Sequence, residues 1–322
     1  RDRVWVQSKG MNQPRYAQWS QESAAAWADF ANELGDATGR DVGLAQNGGY
    51  DLHFSEESLE ATVAQYNVLK EKLGGNYPFE VLGHNALRRE EPAIGPRVAG
   101  AILHHQDGHA NPLKLLRALA DDVRRLGGVI LNGKTVTDLK KTDLFCIRCS
   151  DGSDIRSRKV VLSAGLGAIS LGPMMGFKAP IRPQRGQVLI TEKLPKLINR
   201  PSLIARQVDE GGIQIGATNE EVGLDDHVTQ PGLSGLAAEA VAAFPALAKA
   251  QLVRSWGALR ILSPDGLPIY QESPTMPGAY LVTCHSGITL AAAHARFLPD
   301  WLEASEAAPN LEVFSEDRFA VS

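Results

Sequence analysis

The chain has 322 residues, of which 43% are hydrophobic and 22% are charged, the balance of an ordinary globular protein. The formal net charge of -4 and the pI near 6.1 argue against a nucleic-acid-binding surface, which needs an excess of basic residues. No apolar stretch approaches the roughly 20 residues that span a bilayer, and three cysteines provide no disulfide framework. The sequence therefore predicts a cytoplasmic protein, and its length predicts two domains.

Hydrophobic spacing and capping residues predict helices alternating with short strands over the first hundred residues. Ser20 is expected to cap the first helix, and Gly35 to lie just beyond its end. Ser55 is expected to cap the second. The predicted elements are an extended segment over residues 1–12, helices over 20–34 and 55–73, strands over 45–54 and 79–83, and a helical turn over 87–92.

A strand–helix–strand unit is predicted over residues 100–131, with Asn111 and Pro112 opening its helix and a second strand at 129–131. A meander follows over residues 135–159. The short apolar run at 160–164 is typical of a buried parallel strand. The rest of the chain predicts antiparallel strands over 180–192 and 202–218, a helix over 233–244, strands over 252–261 and 280–284, a helix over 287–303, and a polar, surface-docked tail from residue 309.

Three motif-like patterns have simpler interpretations. Gly165-x-Gly167-x-x-Ser170 follows a strand like a dinucleotide fingerprint, but the glycines and prolines after it argue against the required helix. Cys146-x-x-Cys149 lies on a predicted strand, where positions three apart point to opposite faces. The third pattern is a group of potential metal ligands, which we interpret instead as part of a surface turn: His104, His105, Asp107 and His109. No metal site is predicted.

Two features near the C-terminus carry chemistry. Arg260 stands among the apolar residues of a predicted strand, so it needs an anionic partner, which is either a substrate carboxylate or an internal acidic residue. Residues 284–289 join an apolar strand to a helix start, which favours contact with an electron-rich group. An ordinary helix capped by Ser286 is the alternative.

These stretches resemble the D-amino-acid-oxidase-like flavoproteins, a family that includes glycine oxidase, sarcosine oxidase, D-amino-acid dehydrogenase, and hydroxyproline dehydrogenase and opine oxidase subunits. The resemblance covers nearly the whole chain. It is carried by residues 256–269 (WGALR through PDGLPI), 277–289, Asp107-Gly108 with Asn111-Pro112, 128–136, 159–165, 183–187, and 215–221. The family's N-terminal G-x-G-x-x-G turn is missing, so an N-terminally truncated domain is expected. Cys284 and Ser286 stand where family members often carry glycine.

The resemblance implies a mixed α/β fold, in which an FAD-binding domain of the glutathione-reductase-like type is interleaved with an antiparallel-sheet substrate domain. The FAD-binding domain would comprise residues 1–12, 100–170 and 256–322, and the substrate domain residues 13–99 and 171–255. The implied cofactor contacts are Arg3, Val4, Trp5, Val136, Ser163, Ala164, Gly165, Gly257, Ser286, Gly287, Ile288 and Thr289.

The implied activity is FAD-dependent oxidation of a C–N bond in an amino acid or N-substituted amino acid, with hydride transfer to flavin N5. Arg260 would hold the substrate carboxylate, and His285 and Tyr270 would line the pocket, with packing as the alternative for both. Glycine, sarcosine, D-amino acids, hydroxyproline and opines all carry that carboxylate. A partner subunit or a homo-oligomer is compatible with the family. The competing hypothesis is a non-catalytic fragment or partner-binding subunit that holds no FAD.

Overall fold

The structure, a computed structural model, describes residues 13–320 and divides into two compact units. Unit 1 comprises the described residues up to Leu119 together with Gln184–Leu259. Unit 2 comprises Ala120–Pro183 together with the described residues from Arg260 onward. The assignment of cofactor and substrate roles to interleaved domains, with the boundaries given above, stays a prediction. No helix in the described part is long and apolar enough to cross a membrane.

The helices of the described chain are labelled in chain order. They are α1 (Pro14–Thr38), α2 (Glu56–Lys72), α3 (His84–Glu90), α4 (Pro112–Arg125), α5 (Ala168–Leu171), α6 (Gln230–Ala243) and α7 (Ala291–Glu303). The strands are β1 (Gly49–His53), β2 (Glu80–Gly83), β3 (Gly100–His104), β4 (Val136–Lys141), β5 (Phe145–Cys149), β6 (Asp154–Ser157), β7 (Val160–Leu162), β8 (Arg182–Lys193), β9 (Ala205–Gln207), β10 (Gly212–Gly216), β11 (Leu252–Leu262), β12 (Ile269–Glu272) and β13 (Ala279–Thr283).

Unit 1 is built around a sheet of order β1-β3-β2, and strands of the order β11-β8-β10-β9 form a second sheet. Strand β1 is buried along its whole length because both faces of its sheet are covered. Tyr50 and Leu52 enter the main apolar core, while Ile102 packs with Leu59 and Tyr66 of α2 on the other face. The predicted antiparallel pairing of β8 with β10 is confirmed.

The ends of the helices show where local sequence rules hold. Ser55 Oγ accepts from the Ser58 N–H, and Asn111 Oδ1 accepts from the Leu113 and Lys114 N–H groups, so both predicted caps are confirmed. The expected start at Ser20 is wrong. Helix α1 begins at Pro14, where the ring presets a helical φ, and Gln13 is its N-cap.

The predicted strand at residues 129–131 is wrong. This segment has no strand conformation and follows α4 as an irregular connection. Its apolar side chains are solvent-exposed, with 79% of Val129 accessible, as is Leu126 at the end of the helix. The predicted strand–helix–strand unit is therefore reduced to β3 and α4.

Unit 2 contains two three-stranded sheets that share one core. The predicted meander is confirmed as the antiparallel sheet β4-β5-β6, and β5 carries both Cys146 and Cys149. The other sheet has the order β12-β13-β7, with β7 parallel to β13 as predicted. The expected burial of β7 is wrong, because Val161 is 42% exposed. Phe145 and Leu162, one from each sheet, belong to the same buried cluster.

The expectation of a surface-docked C-terminal tail is wrong. Leu311 and Phe314 are buried in unit 2, and the Glu316 carboxylate accepts hydrogen bonds from the backbone N–H groups of Lys178 and Ala179. This segment is polar in composition, but Leu311 and Phe314 are apolar and lie three positions apart. Their spacing is the signal that would have indicated a docked turn.

Candidate active site at the carboxyl ends of two parallel strands

The parallel pairing of β7 with β13 organises the candidate site. The register runs from Val160 opposite Ala279 to Leu162 opposite Leu281, so both strands end at the same edge of the sheet. Ser163–Gly165 continue from β7 at this edge, and the segment 284–289 continues from β13. Ligands of open α/β sheets bind outside the carboxyl ends of parallel strands. The structure thus brings two groups of predicted cofactor residues to one edge.

Gly165 allows strand β11 to lie close to the loop after β7. Its φ is +58°, in the left-handed region that favours glycine, and a side chain there would begin 3.3 Å from Ile261 Cδ1. Ile261 follows Arg260 directly on β11. The contact therefore places the strand that carries the predicted carboxylate ligand beside the loop after β7.

The segment after β13 forms a turn before α7 becomes regular. The Leu290 N–H donates to the Ser286 carbonyl at 2.9 Å, and the Ala291 N–H donates to the Ile288 carbonyl at 3.1 Å. The N-cap of α7 is Leu290, four residues after Ser286. Gly287 is exposed, with open space where a side chain would extend. A flat group can approach this backbone closely.

Thr283, the last residue of β13, was missed by the sequence reasoning. It is only 5% exposed, and its Oγ1 has no hydrogen-bond partner among the described residues. An unsatisfied buried hydroxyl costs about 1–3 kcal/mol, so a partner at the edge of the sheet would relieve a real penalty. A polar residue ending an apolar strand just before a glycine-containing turn is the sequence signal that would have found it.

The predicted catalytic residues have different surroundings. Arg260 and His285 are half-buried, Arg260 near the end of β11 and His285 just after β13. Tyr270 is 2% exposed, and its Oη lies 2.6 Å from His294 Nε2. Its ring meets those of Trp301 and Phe314 edge-on. This packing favours the structural alternative for Tyr270, and its catalytic role stays a prediction.

Val136 and Gly257 are two further predicted cofactor residues. Val136 begins β4, in the second sheet of unit 2. Gly257 belongs to unit 1, where a side chain would begin 2.2 Å from the Asp226 carbonyl oxygen, so only glycine fits. The remaining predicted contacts, Arg3, Val4 and Trp5, lie outside the described residues. Within unit 2, the structure thus brings the Ser163–Gly165 and 284–289 groups to one edge and places Val136 in the other sheet.

Potential metal ligands form one group within residues 13–320. Asp225, Asp226 and His227 have ligand atoms within 4.8 Å of one another, and all three are exposed. Asp225 is already ion-paired with Arg185 at 2.6 Å. His104 lies instead against the rings of Tyr66, Tyr77 and Phe79, and burial lowers its pKa.

A sequence profile of the DAO family, described as FAD dependent oxidoreductase, matches residues 4–301. The chain belongs to the DAO family of FAD-dependent oxidoreductases. The matched residues include Arg260 and the segments that follow β7 and β13 at the candidate site.

Individual relatives agree with this assignment. The chain is 41% identical to the B subunit of opine oxidase from Agrobacterium tumefaciens (strain Ach5), over 98% of this chain and 85% of that protein. It is 30% identical to the HcnC subunit of hydrogen cyanide synthase from Pseudomonas aeruginosa, over 84% of this chain and 66% of that protein. The crystal structure of glycine oxidase from Geobacillus kaustophilus has the same fold, with a TM-score of 0.86 and 24% identity over 92% of this chain and 82% of that one.

FAD is the cofactor of this family, and the sheet edge has features that fit it. The exposed backbone at Gly287 leaves room for a flat ring system, and Thr283 Oγ1, at the end of β13, is a buried hydrogen-bonding group without a partner among the described residues. The residues that would hold this part of the cofactor are Ser163, Ala164, Gly165, Thr283, Ser286, Gly287, Ile288 and Thr289.

Proposed function

We propose that this DAO-family oxidoreductase oxidises the carbon–nitrogen bond of an amino acid or N-substituted amino acid of the D-amino acid, glycine, sarcosine or opine type. The contact between Gly165 and Ile261 carries this proposal, because it joins the strand of Arg260 to the candidate flavin edge. The 41% identity to an opine oxidase subunit supports a substrate with a carboxylate near the oxidised nitrogen.

Arg260 is the proposed carboxylate ligand. A guanidinium group can donate two parallel hydrogen bonds to a carboxylate, which fixes orientation as well as position. Bound FAD would supply the two-electron acceptor. The protein would then hold and orient the substrate, and such positioning would provide a large part of the rate. His285, at the end of β13, is the proposed second residue of the substrate pocket.

A partner subunit is also proposed. Two relatives are named as subunits of larger enzymes, one of opine oxidase and one of hydrogen cyanide synthase. The exposed apolar residues Leu126, Val129 and Leu131 favour contact with another polypeptide. They also favour the second candidate function, a partner-binding subunit without turnover of its own. None of the three cysteines, which all lie in the described part of the chain, forms a disulfide, as in a reducing compartment, and we propose the cytoplasm.

A visible absorption spectrum of the purified protein separates the two functions. Flavin bands, together with reduction by one member of a panel of amino acids and opines, are expected for the enzyme. Oxygen and an artificial dye, offered as rival acceptors, distinguish an oxidase from a dehydrogenase. Protein that shows no flavin bands after incubation with FAD and removal of the unbound cofactor would favour the non-catalytic subunit.

The carboxylate ligand is tested by Arg260→Lys. A lysine keeps the charge but loses the bidentate fork, so KM should rise by at least about tenfold while FAD stays bound. Arg148→Lys is the matched control, because Arg148 forms a bidentate but exposed pair with Asp154 in unit 2. An unchanged KM in Arg260→Lys would refute the assignment.

A further inference from the structure

The C-terminal segment 311–319, here called the clasp, holds the turn between β11 and β12. It is anchored in unit 2 by the buried Phe314, whose ring meets Tyr270 of β12 at 5.7 Å between ring centroids. Ser315 Oγ donates to Gln271 Oε1 on the same strand. The Glu316 carboxylate accepts the Lys178 and Ala179 N–H groups and so fixes the clasp on its other side.

Arg318 connects the clasp to the turn at residues 263–268. Its Nε donates to Asp265 Oδ2 at 2.9 Å, and its Nη2 donates to Asp265 Oδ1 at 3.1 Å. The same Nη2 donates to the Pro268 carbonyl at 2.9 Å. Its Nη1 donates back to the Phe314 and Ser315 carbonyls at 2.6 and 2.9 Å. One guanidinium group therefore ties the clasp to both the side chain and the backbone of the turn.

Asp265, which binds Arg318, also contacts other groups of the turn. Its Oδ1 accepts from the Leu267 N–H at 3.0 Å and lies 3.1 Å from Ser263 Oγ. Burial alone would raise the pKa of Asp265, but the hydrogen bonds from Arg318 and the Leu267 N–H outweigh that effect and lower the pKa below its usual value. The carboxylate is therefore charged at neutral pH, when it pairs with Arg318.

The turn is the direct continuation of the strand that carries Arg260. Leu262, the last residue of β11, is buried, and Ser263 Oγ closes the turn by donating to the Leu267 carbonyl at 2.7 Å. We propose that Arg318 is a positioning residue for the oxidation, because it fixes this turn and thereby the direction in which Arg260 presents its guanidinium group. The inference rests on the proposed role of Arg260 as carboxylate ligand.

The test measures carboxylate recognition separately from stability. Benzoate and benzamide have the same shape, but only benzoate carries the charge that Arg260 would bind. Calorimetric titration of the FAD-loaded protein gives the Kd of each. In Arg318→Gln the preference for benzoate should fall about tenfold, because a displaced guanidinium loses much of a bidentate interaction. Arg318→Lys, which restores a charge without the fork, should recover part of the preference.

Two comparisons separate positioning from general damage. Arg148→Gln removes a bidentate Arg–Asp pair of the same unit that does not touch the turn, and it should leave the preference for benzoate unchanged. Asp265→Asn weakens the turn from the other side of the Arg318 contact and should reduce the preference about threefold. If Arg318→Gln does not fold, Asp265→Asn tests the positioning proposal instead.

Each outcome has a definite meaning. A lower thermal midpoint in Arg318→Gln with an unaltered preference for benzoate would show a merely structural role and overturn the positioning proposal. Arg260→Gln reports on the proposed function itself. If it abolishes the preference while Arg318→Gln and Asp265→Asn do not alter it, only the positioning proposal fails. If Arg260→Gln has no effect either, both proposals fail.

Discussion

The Tyr270 hydroxyl is hydrogen-bonded to His294 Nε2 at 2.6 Å, which links β12 to α7 in the interior of unit 2. Burial lowers the pKa of His294 to about 4, so the imidazole is neutral at pH 7. We expect Tyr270→Phe to lower the free energy of unfolding by about 1–3 kcal/mol, because it leaves a buried ring nitrogen without a partner. Urea unfolding at pH 7 measures the loss.

The same variant tests the predicted catalytic role of Tyr270. If this residue packs, kcat/KM should stay within about twofold of the parent value. Tyr280→Phe is the comparison, since Tyr280 is also buried and its hydroxyl donates to the Leu302 carbonyl. A large loss of kcat in Tyr270→Phe alone, without loss of stability, would show that the hydroxyl acts in the reaction.

His294 should also make the protein sensitive to acid. The pKa in the folded state is about 4, below the usual value of 6.5, so the unfolded chain takes up the proton first as the pH falls. The stabilisation is complete above about pH 6.5 and is lost as the pH falls toward 4. A shift of this size corresponds to about 3 kcal/mol. Urea unfolding at pH 7 and pH 5 should show the loss.

A substitution isolates this contribution. His294→Gln should flatten the pH dependence between 6.5 and 4, because it removes the group whose pKa burial lowers. An equally steep dependence in His294→Gln would mean that other groups cause the acid sensitivity.

Gly165 offers a direct test of the candidate cofactor edge. Alanine at this position would have an unfavourable positive φ and would press on Ile261, so Gly165→Ala should weaken FAD binding by at least about tenfold. Fluorescence titration of the FAD-free protein with FAD measures the effect. Gly167→Ala is the matched control, because Gly167 has a φ of -63° and ordinary space for a methyl group. Equal FAD affinity in both variants would argue against this edge as the cofactor site.

Glu316 tests the anchoring of the clasp. Its carboxylate is buried and accepts backbone N–H groups from Lys178 and Ala179, so Glu316→Ala leaves these donors unpaired. We expect a loss of about 2–4 kcal/mol in the free energy of unfolding. Glu312→Ala changes an exposed carboxylate of the same segment and should be neutral within about 0.5 kcal/mol. Similar stability of the two variants would contradict the anchoring role.

Local rules predicted much of the fold. Asn111 before Pro112, and Ser55 before an apolar-periodic run, specify helix starts through one or two hydrogen bonds that involve only neighbouring residues. The apolar run at 160–164 predicted a buried parallel strand, and the parallel pairing with β13 is confirmed, but the burial is not, because Val161 is exposed. The family resemblance predicted the cofactor and the oxidoreductase class.

What the sequence did not reveal depends on distant contacts. Residues 129–131 have the composition of a strand, but strand conformation needs a partner edge, which the described chain does not supply at this point. Arg318 acquires its role from a group far away in the sequence, the turn at 263–268. This relationship leaves no periodic or capping signal.

The parallel register of β7 and β13 has a consequence for altering specificity. The loops that follow the two strands are far apart in the chain but meet at one edge. A loop transplanted from a relative into only one of these places would face a surface shaped for its original counterpart. Exchange of substrate preference among members of this family should therefore succeed when both loops are transferred together, and fail when either is moved alone.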